Sequence, residues 1–167
     1  LIPHWADNAK VGSRMFNARA ETLTASPAFR DSLRRKRCLV PVEGFYEWRR
    51  EGEIRQPYAI GRADGRPLVL AGLWDGWRDA ATDTVRRTFT IVTTAPNETM
   101  ASIHNRMPAM LSDDDWATWL DPNLADPGEL LAIIGSGREP ELILRPVSRL
   151  VNDVRNDGPE LVAPLAG

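Results

Sequence analysis

A chain of 167 residues with a formal net charge of −2, one cysteine and two histidines has the size of one domain, able to bury about 70% of its unfolded surface without disulfides. Cys38 has no partner for an intrachain bridge and two histidines do not complete a zinc finger, so a disulfide framework and a Cys/His structural metal are excluded, and no cofactor is expected. Apolar runs such as 67–74 are far shorter than the roughly 20 residues that cross a bilayer, and no charged segment followed by an apolar one opens the chain; the expectation is a cytoplasmic monomer with no membrane partner.

The chain begins LIPHWAD, without methionine, and reads as a fragment of a longer protein. Residues 1–50 hold ten Lys/Arg against five Asp/Glu, mostly arginine, the residue suited to bidentate phosphate contact. Arg19 with some of Arg14, Arg34, Arg35 and Arg37 is expected to form a basic surface, although the run 34–37 reads equally as a solvated helix face. SPAFRDSLRRKR predicts a short helix with Ser26 as N-cap, Pro27 at the first position and an apolar Phe29/Leu33 pair. CLVPVEGFYEWRR predicts strand structure with a bulge or sharp bend at Pro41 and Gly44.

PYAIG and RPLVLAGLW follow as strands, and Asp64-Gly65 between them is a hairpin signal. TFTIVTT is a further strand after the polar connection RDAATDTVRR. SDDDWATWL predicts a helix with Ser112 and Asp115 in capping-box spacing and Trp116, Trp119 and Leu120 on its apolar face. DPGELLAIIGSG predicts another, with Asp126 as cap, Pro127 at the first position and Gly135 as the stop. ELILRPV closes as a strand. Strands outnumber helices and adjoin through short turns, so the expected class is α+β: a single domain, an antiparallel, barrel-like sheet with short peripheral helices.

Groups that move protons and hold charge gather in three stretches. FNARAET supplies Asn17, Arg19 and Glu21, GFYEW supplies Glu47, and SIHNRMP supplies His104, Asn105 and Arg106. By strand alternation Glu47 shares a face with Phe45, and a carboxylate on an apolar face is costly unless paired or used. It reads as a general acid/base, with a structural ion pair as the alternative. His104 follows a strand end, where a histidine is as readily a hydrogen-bonded loop residue as a proton carrier. Cys38 opens an apolar strand and reads as packing, the alternative being a Cys38–His104 peptidase dyad. Trp5, beside a loop in the basic half, is a candidate for stacking on a base.

Taken in order, LIPHWA, NARAET, RCLVPVEGFYEW, AGLWDGW, FTIVTTAPNETMASIHNRMPAML and PVSRLVNDVRNDGPELVAPL resemble the successive motifs of the SRAP family, the SOS response-associated peptidase-like, abasic-site processing proteins. The resemblance implies a protein of the DNA damage response that binds single-stranded DNA containing abasic sites and joins itself to the ring-opened sugar. The attacking group in the family is an N-terminal cysteine, exposed by self-catalysed removal of the initiator methionine, which closes a thiazolidine. It further implies that Asn17 positions the amine, that Glu47 is the active-site carboxylate, and that His104 acts on the sugar oxygen. Arg19 then matches a phosphate contact, Trp5 a DNA-contacting aromatic, and Arg14 and Arg106 join the DNA-binding set. The family's N-terminal Cys-Gly-Arg segment is absent from residues 1–167, which places the nucleophile outside them, and Cys38 matches a family cysteine with no assigned chemistry. Two other readings stay open: a non-catalytic single-stranded nucleic-acid binding module, and a cysteine peptidase using Cys38.

Overall fold

The computed structural model describes residues 1–165 and has an α+β fold of two sheets with short helices. Its strands are β1 (Asn17–Arg19), β2 (Arg37–Val42), β3 (Phe45–Glu51), β4 (Ile54–Arg62), β5 (Leu68–Asp79), β6 (Thr84–Thr94), β7 (Met107–Pro108) and β8 (Leu142–Pro146). The helices are α1 (Arg30–Arg35), α2 (Glu98–Ala101), α3 (Trp116–Leu120) and α4 (Pro127–Ile134). The chain leaves the first sheet for the second at Glu43–Gly44, between β2 and β3. No closed barrel forms among the described residues: the sheets have the orders β1-β6-β5-β2 and β3-β4-β8.

One compact unit comprises Leu1–Pro41, Val69–Thr94 and Pro108–Glu139. β5 and β6 form its antiparallel hairpin, from Gly72↔Ile91 to Asp79↔Thr84, and the turn accommodates Asp83 at φ 52°, a conformation aspartate tolerates better than most side chains. RDAATDTVRR is thus partly strand. β5 lies between two neighbours, and its continuous apolar run is buried from Leu68 to Leu73, as expected of an interior strand. β1 departs from the antiparallel expectation, since it runs parallel to β6 with Asn17↔Ile91 and Arg19↔Thr93. Leu23, Leu33, Leu73, Val92, Trp119 and Leu130 belong to the core.

Two helix starts differ from the sequence reading. α1 begins at Arg30, and Ser26 acts through its carbonyl, which accepts from the amides of Phe29 and Arg30. Ser112 likewise makes no side-chain cap; its hydroxyl donates to the Asp115 carboxylate at 2.6 Å, a side-chain pair in place of the expected capping box. α4 follows the reading throughout: Asp126 accepts from the Glu129 amide at 3.0 Å, Pro127 occupies the first turn and Gly135 ends it.

The second unit comprises Val42–Leu68, Ala95–Met107 and the described residues from Pro140 onward. β3 and β4 are antiparallel, joined through a two-residue turn at Gly52 (φ +64°) and Glu53, with Glu47↔Tyr58 and Arg50↔Arg55 in register. β8 pairs antiparallel with the other edge of β4. Gly44 permits the entry to this sheet, because a Cβ there would lie 2.5 Å from the Ile60 carbonyl oxygen. The Asp64-Gly65 turn forms, with Gly65 at φ +75° and its amide donating to the Arg62 carbonyl, but β4 and β5 belong to different sheets and make no hairpin. A turn signal fixes a local reversal, not the partner of the strand that follows it.

Candidate active site

Glu47 and His104 come together within the second unit. The Glu47 Oε2 lies 3.7 Å from His104 Nδ1, with the carboxylate side chain 26% exposed and the imidazole 42%. The other carboxylate oxygen accepts from the Trp48 amide at 3.1 Å, which orients the group. Glu47 lies on β3, an edge strand of its sheet, and borders a hollow. That hollow, about 390 Å³, is lined by Glu47, Trp48, Arg50, Arg55, Ile103, His104 and Asn105.

His104 is held by the short helix before it. Asn97 caps α2 by accepting from the Met100 amide at 3.0 Å, and the Met100 carbonyl accepts from the His104 amide at 2.9 Å. Met100 and Ile103 are buried and anchor the turn, while His104 and Asn105 are exposed. The Arg106 amide reaches His104 Nδ1 at 3.2 Å. In the tautomer that accepts this bond, Nε2 carries the proton and is available to a ligand. At 3.7 Å the two groups are not directly hydrogen-bonded, but each borders the hollow and is placed to exchange a proton with a ligand bound there. Arg106 itself is half-buried.

The remaining predicted residues lie in the first unit. β1 alternates exposed, buried, exposed, with Ala18 in the core and Asn17 and Arg19 both on the open face. Arg14 is exposed in the last turn of the 3-10 segment 9–14, and Glu21 is exposed just after β1. Trp5 is 51% exposed, between two residues fastened to β5. His4 donates its amide to Asp75 Oδ2 at 2.8 Å, its ring Nδ1 lies 2.9 Å from the same oxygen, and the Ala6 carbonyl accepts from Trp77 Nε1 at 2.6 Å. The indole is therefore presented to solvent by an anchored loop.

Arg37 leaves the expected basic surface. It is buried, and its guanidinium donates to the carbonyls of Leu33, Arg34, Trp119 and Asp121, satisfying acceptors at the ends of α1 and α3 that helices leave unpaired. Cys38 behaves as a packing residue. Burial pushes its thiol up from the ordinary value, which disfavours the thiolate a peptidase requires. It borders an apolar hollow with Val40, Trp74 and Phe89. Sequence reasoning missed His4, Asp75, the Asn97 cap and the Arg50/Arg55 pair. Asp75 had a usable signal, a carboxylate inside the apolar run LVLAGLWDGW, which has to be paired if buried.

The fold is α+β with mostly antiparallel sheets, the class expected of an SRAP-like chain. A family model described as SOS response associated peptidase (SRAP) matches residues 1–154, and the chain belongs to that family. It is 40% identical to the abasic site processing protein YoqW of Bacillus subtilis (strain 168) over 97% of this chain and 72% of that protein. Identity to the abasic site processing protein YedK of Escherichia coli (strain K12) is 33%, over 98% and 71%. For the abasic site processing protein HMCES of Gallus gallus it is 31%, over 99% and 55%. A crystal structure of a protein from Bacteroides thetaiotaomicron matches with a TM-score of 0.88 at 31% identity, covering 99% of this chain and 74% of that one. Among the described residues no helix is long and apolar enough to cross a membrane.

Proposed function

We propose that this chain is the larger part of an abasic-site processing protein that binds single-stranded DNA and becomes covalently joined to the lesion. The observation that carries the reading is the Glu47–His104 pair, 3.7 Å apart at an open hollow, in a chain whose relatives are named abasic site processing proteins. The nucleophile is an N-terminal cysteine outside residues 1–167. Its α-amine adds to the aldehyde carbon of the ring-opened sugar and expels one water to give an imine; the thiol sulfur then adds to the same carbon while its proton passes to nitrogen. The product is a thiazolidine, with one water released overall.

Each named group has a task in that sequence. The amine attacks only when uncharged, so Glu47 serves as its proton acceptor, with Asn17 orienting the nitrogen. His104 supplies and withdraws the proton at the sugar oxygen as the ring opens and closes. Trp5 stacks on a base while Arg14, Arg19 and Arg106 hold phosphates, a combination suited to single strands with little sequence preference. Removal of the initiator methionine, which exposes the cysteine, is self-catalysed in this reading. The test is denaturing-gel trapping of an abasic-site oligonucleotide by the full-length protein. An adduct that forms with wild type and about 100-fold more slowly with Glu47→Ala is expected; no adduct with wild type would leave a non-catalytic binding module.

A further inference from the structure

Two arginines in the hollow have no role in the chemistry above. Arg50 and Arg55 are direct cross-strand partners at the turn end of β3 and β4, both exposed and both lining the hollow that Glu47 and His104 border. Like charges directly opposite on an antiparallel pair destabilise it. Neither arginine has an acidic partner among the described residues, whereas Arg62, Arg78, Arg86, Arg138 and Arg155 each pair with an aspartate. A repulsive pair kept beside a proton-transfer site is accounted for by an anion that both guanidinium groups share.

We propose that Arg50 and Arg55 clamp one backbone phosphodiester of the bound strand next to the reacting sugar. Two planar guanidinium forks match the non-bridging oxygens of a phosphate. Trp48, in the same hollow, has its ring fixed by the bond from Nε1 to Asn152 Oδ1 at 2.8 Å, which offers a rigid apolar wall to the adjacent nucleotide. The clamp fixes the register of the strand, so that the nucleotide reaching His104 is set by the phosphate held at the hairpin end. This proposal rests on the abasic-site reading, and it names a phosphate contact on β3 and β4 in addition to Arg14, Arg19 and Arg106.

The experiment uses the full-length protein, Arg50→Gln/Arg55→Gln and Arg55→Glu, with abasic and undamaged single-stranded oligonucleotides. For undamaged strands the double variant is expected to lower the log-log salt slope by about 0.7, one phosphate's worth, so that binding is about fourfold weaker at 0.15 M salt and equal to wild type near 1 M. A single neutral methylphosphonate, walked along the abasic strand, is expected to slow wild-type adduct formation at one position next to the lesion and to have no further effect there in the double variant. Arg55→Glu, which places an opposite charge beside Arg50, is expected to raise Tm while weakening binding. An unchanged slope, or methylphosphonate effects identical in wild type and variant, would overturn the clamp, and so would a lowered Tm in both variants, because the pair would then not be repulsive. A salt-slope change without any position-dependent effect would assign the pair to a free anion and overturn the strand contact. If wild type forms no adduct at all, the abasic-site reading fails while the slope on undamaged strands still decides the clamp.

Discussion

Asp75 shows how one buried side chain fixes a neighbouring loop. Its carboxylate is buried and receives four donors: the His4 amide and ring, Lys36 Nζ at 2.5 Å and the Gly76 amide at 2.8 Å. Burial pushes the carboxyl up, but the bonds from Lys36, then His4 and Gly76, outweigh it and hold the group below the usual carboxylate range. A depressed folded-state value means that the stabilisation is complete above the unfolded value of about 3.9 and is lost as pH falls through the folded one. Asp75→Asn leaves Lys36 without its countercharge, so urea denaturation should show a loss of about 3 kcal/mol at pH 7. The gap to wild type should begin to narrow below about pH 4, as the unfolded-state carboxylate becomes neutral, and close as pH falls through the lower native value. Because Asp75 anchors His4 beside Trp5, the variant should also weaken single-strand binding. Trp5→Ala should remove about 1–3 kcal/mol of binding with the salt slope unchanged, which fluorescence titration at several salt concentrations would check.

Helix α2 has four residues, too few for hydrophobic periodicity to register, yet it determines where His104 stands. Its stability depends on the Asn97 cap. Asn97→Ala should therefore cost about 1 kcal/mol and slow adduct formation although Glu47 and His104 are both intact; restoring the cap with Asn97→Asp should recover most of both, and adduct time courses beside thermal melts would show it. What was legible in the sequence divides along the same physical line. Strand identity for TFTIVTT and RPLVLAGLW, the bend at Gly44 and the whole of α4 follow from local signals, namely β-branching, a required glycine and a complete cap. The parallel pairing of β1 with β6 and the separation of β4 from β5 depend on which edges meet, which no local signal encodes. Glu47 was legible as a candidate proton carrier from a carboxylate on an apolar strand face, and His104 through resemblance to family motifs, whereas the Arg50↔Arg55 pair became visible only once the Gly52–Glu53 turn fixed the register.

At the scale of the whole molecule, a net charge of −2 conceals a basic first third, and Arg37 shows that not all of that charge is available to a ligand, because its guanidinium is committed to backbone carbonyls. Arg19, on the open face of β1, is available, and Arg19→Ala should lower the salt slope by about 0.7; an unchanged slope in the binding titrations would make it structural. The division of labour between the nucleophile and the groups present here gives the last prediction. If the attacking sulfur lies outside residues 1–167, Cys38→Ser in the full-length protein should leave both the rate and yield of the adduct unchanged, as the Cys38 thiol is held protonated by burial. His104→Ala should separate formation from reversal. Under the proposed mechanism, formation relies chiefly on an uncharged amine and hence on Glu47, whereas reopening the thiazolidine and reclosing the sugar returns a proton by way of His104, so reversal should slow by about 100-fold while formation changes less. Pulse-chase of a labelled adduct against excess unlabelled abasic strand measures both rates in one assay. Loss of the adduct in a folded Cys38→Ser variant would transfer the nucleophile to Cys38 and make the peptidase reading the one to pursue.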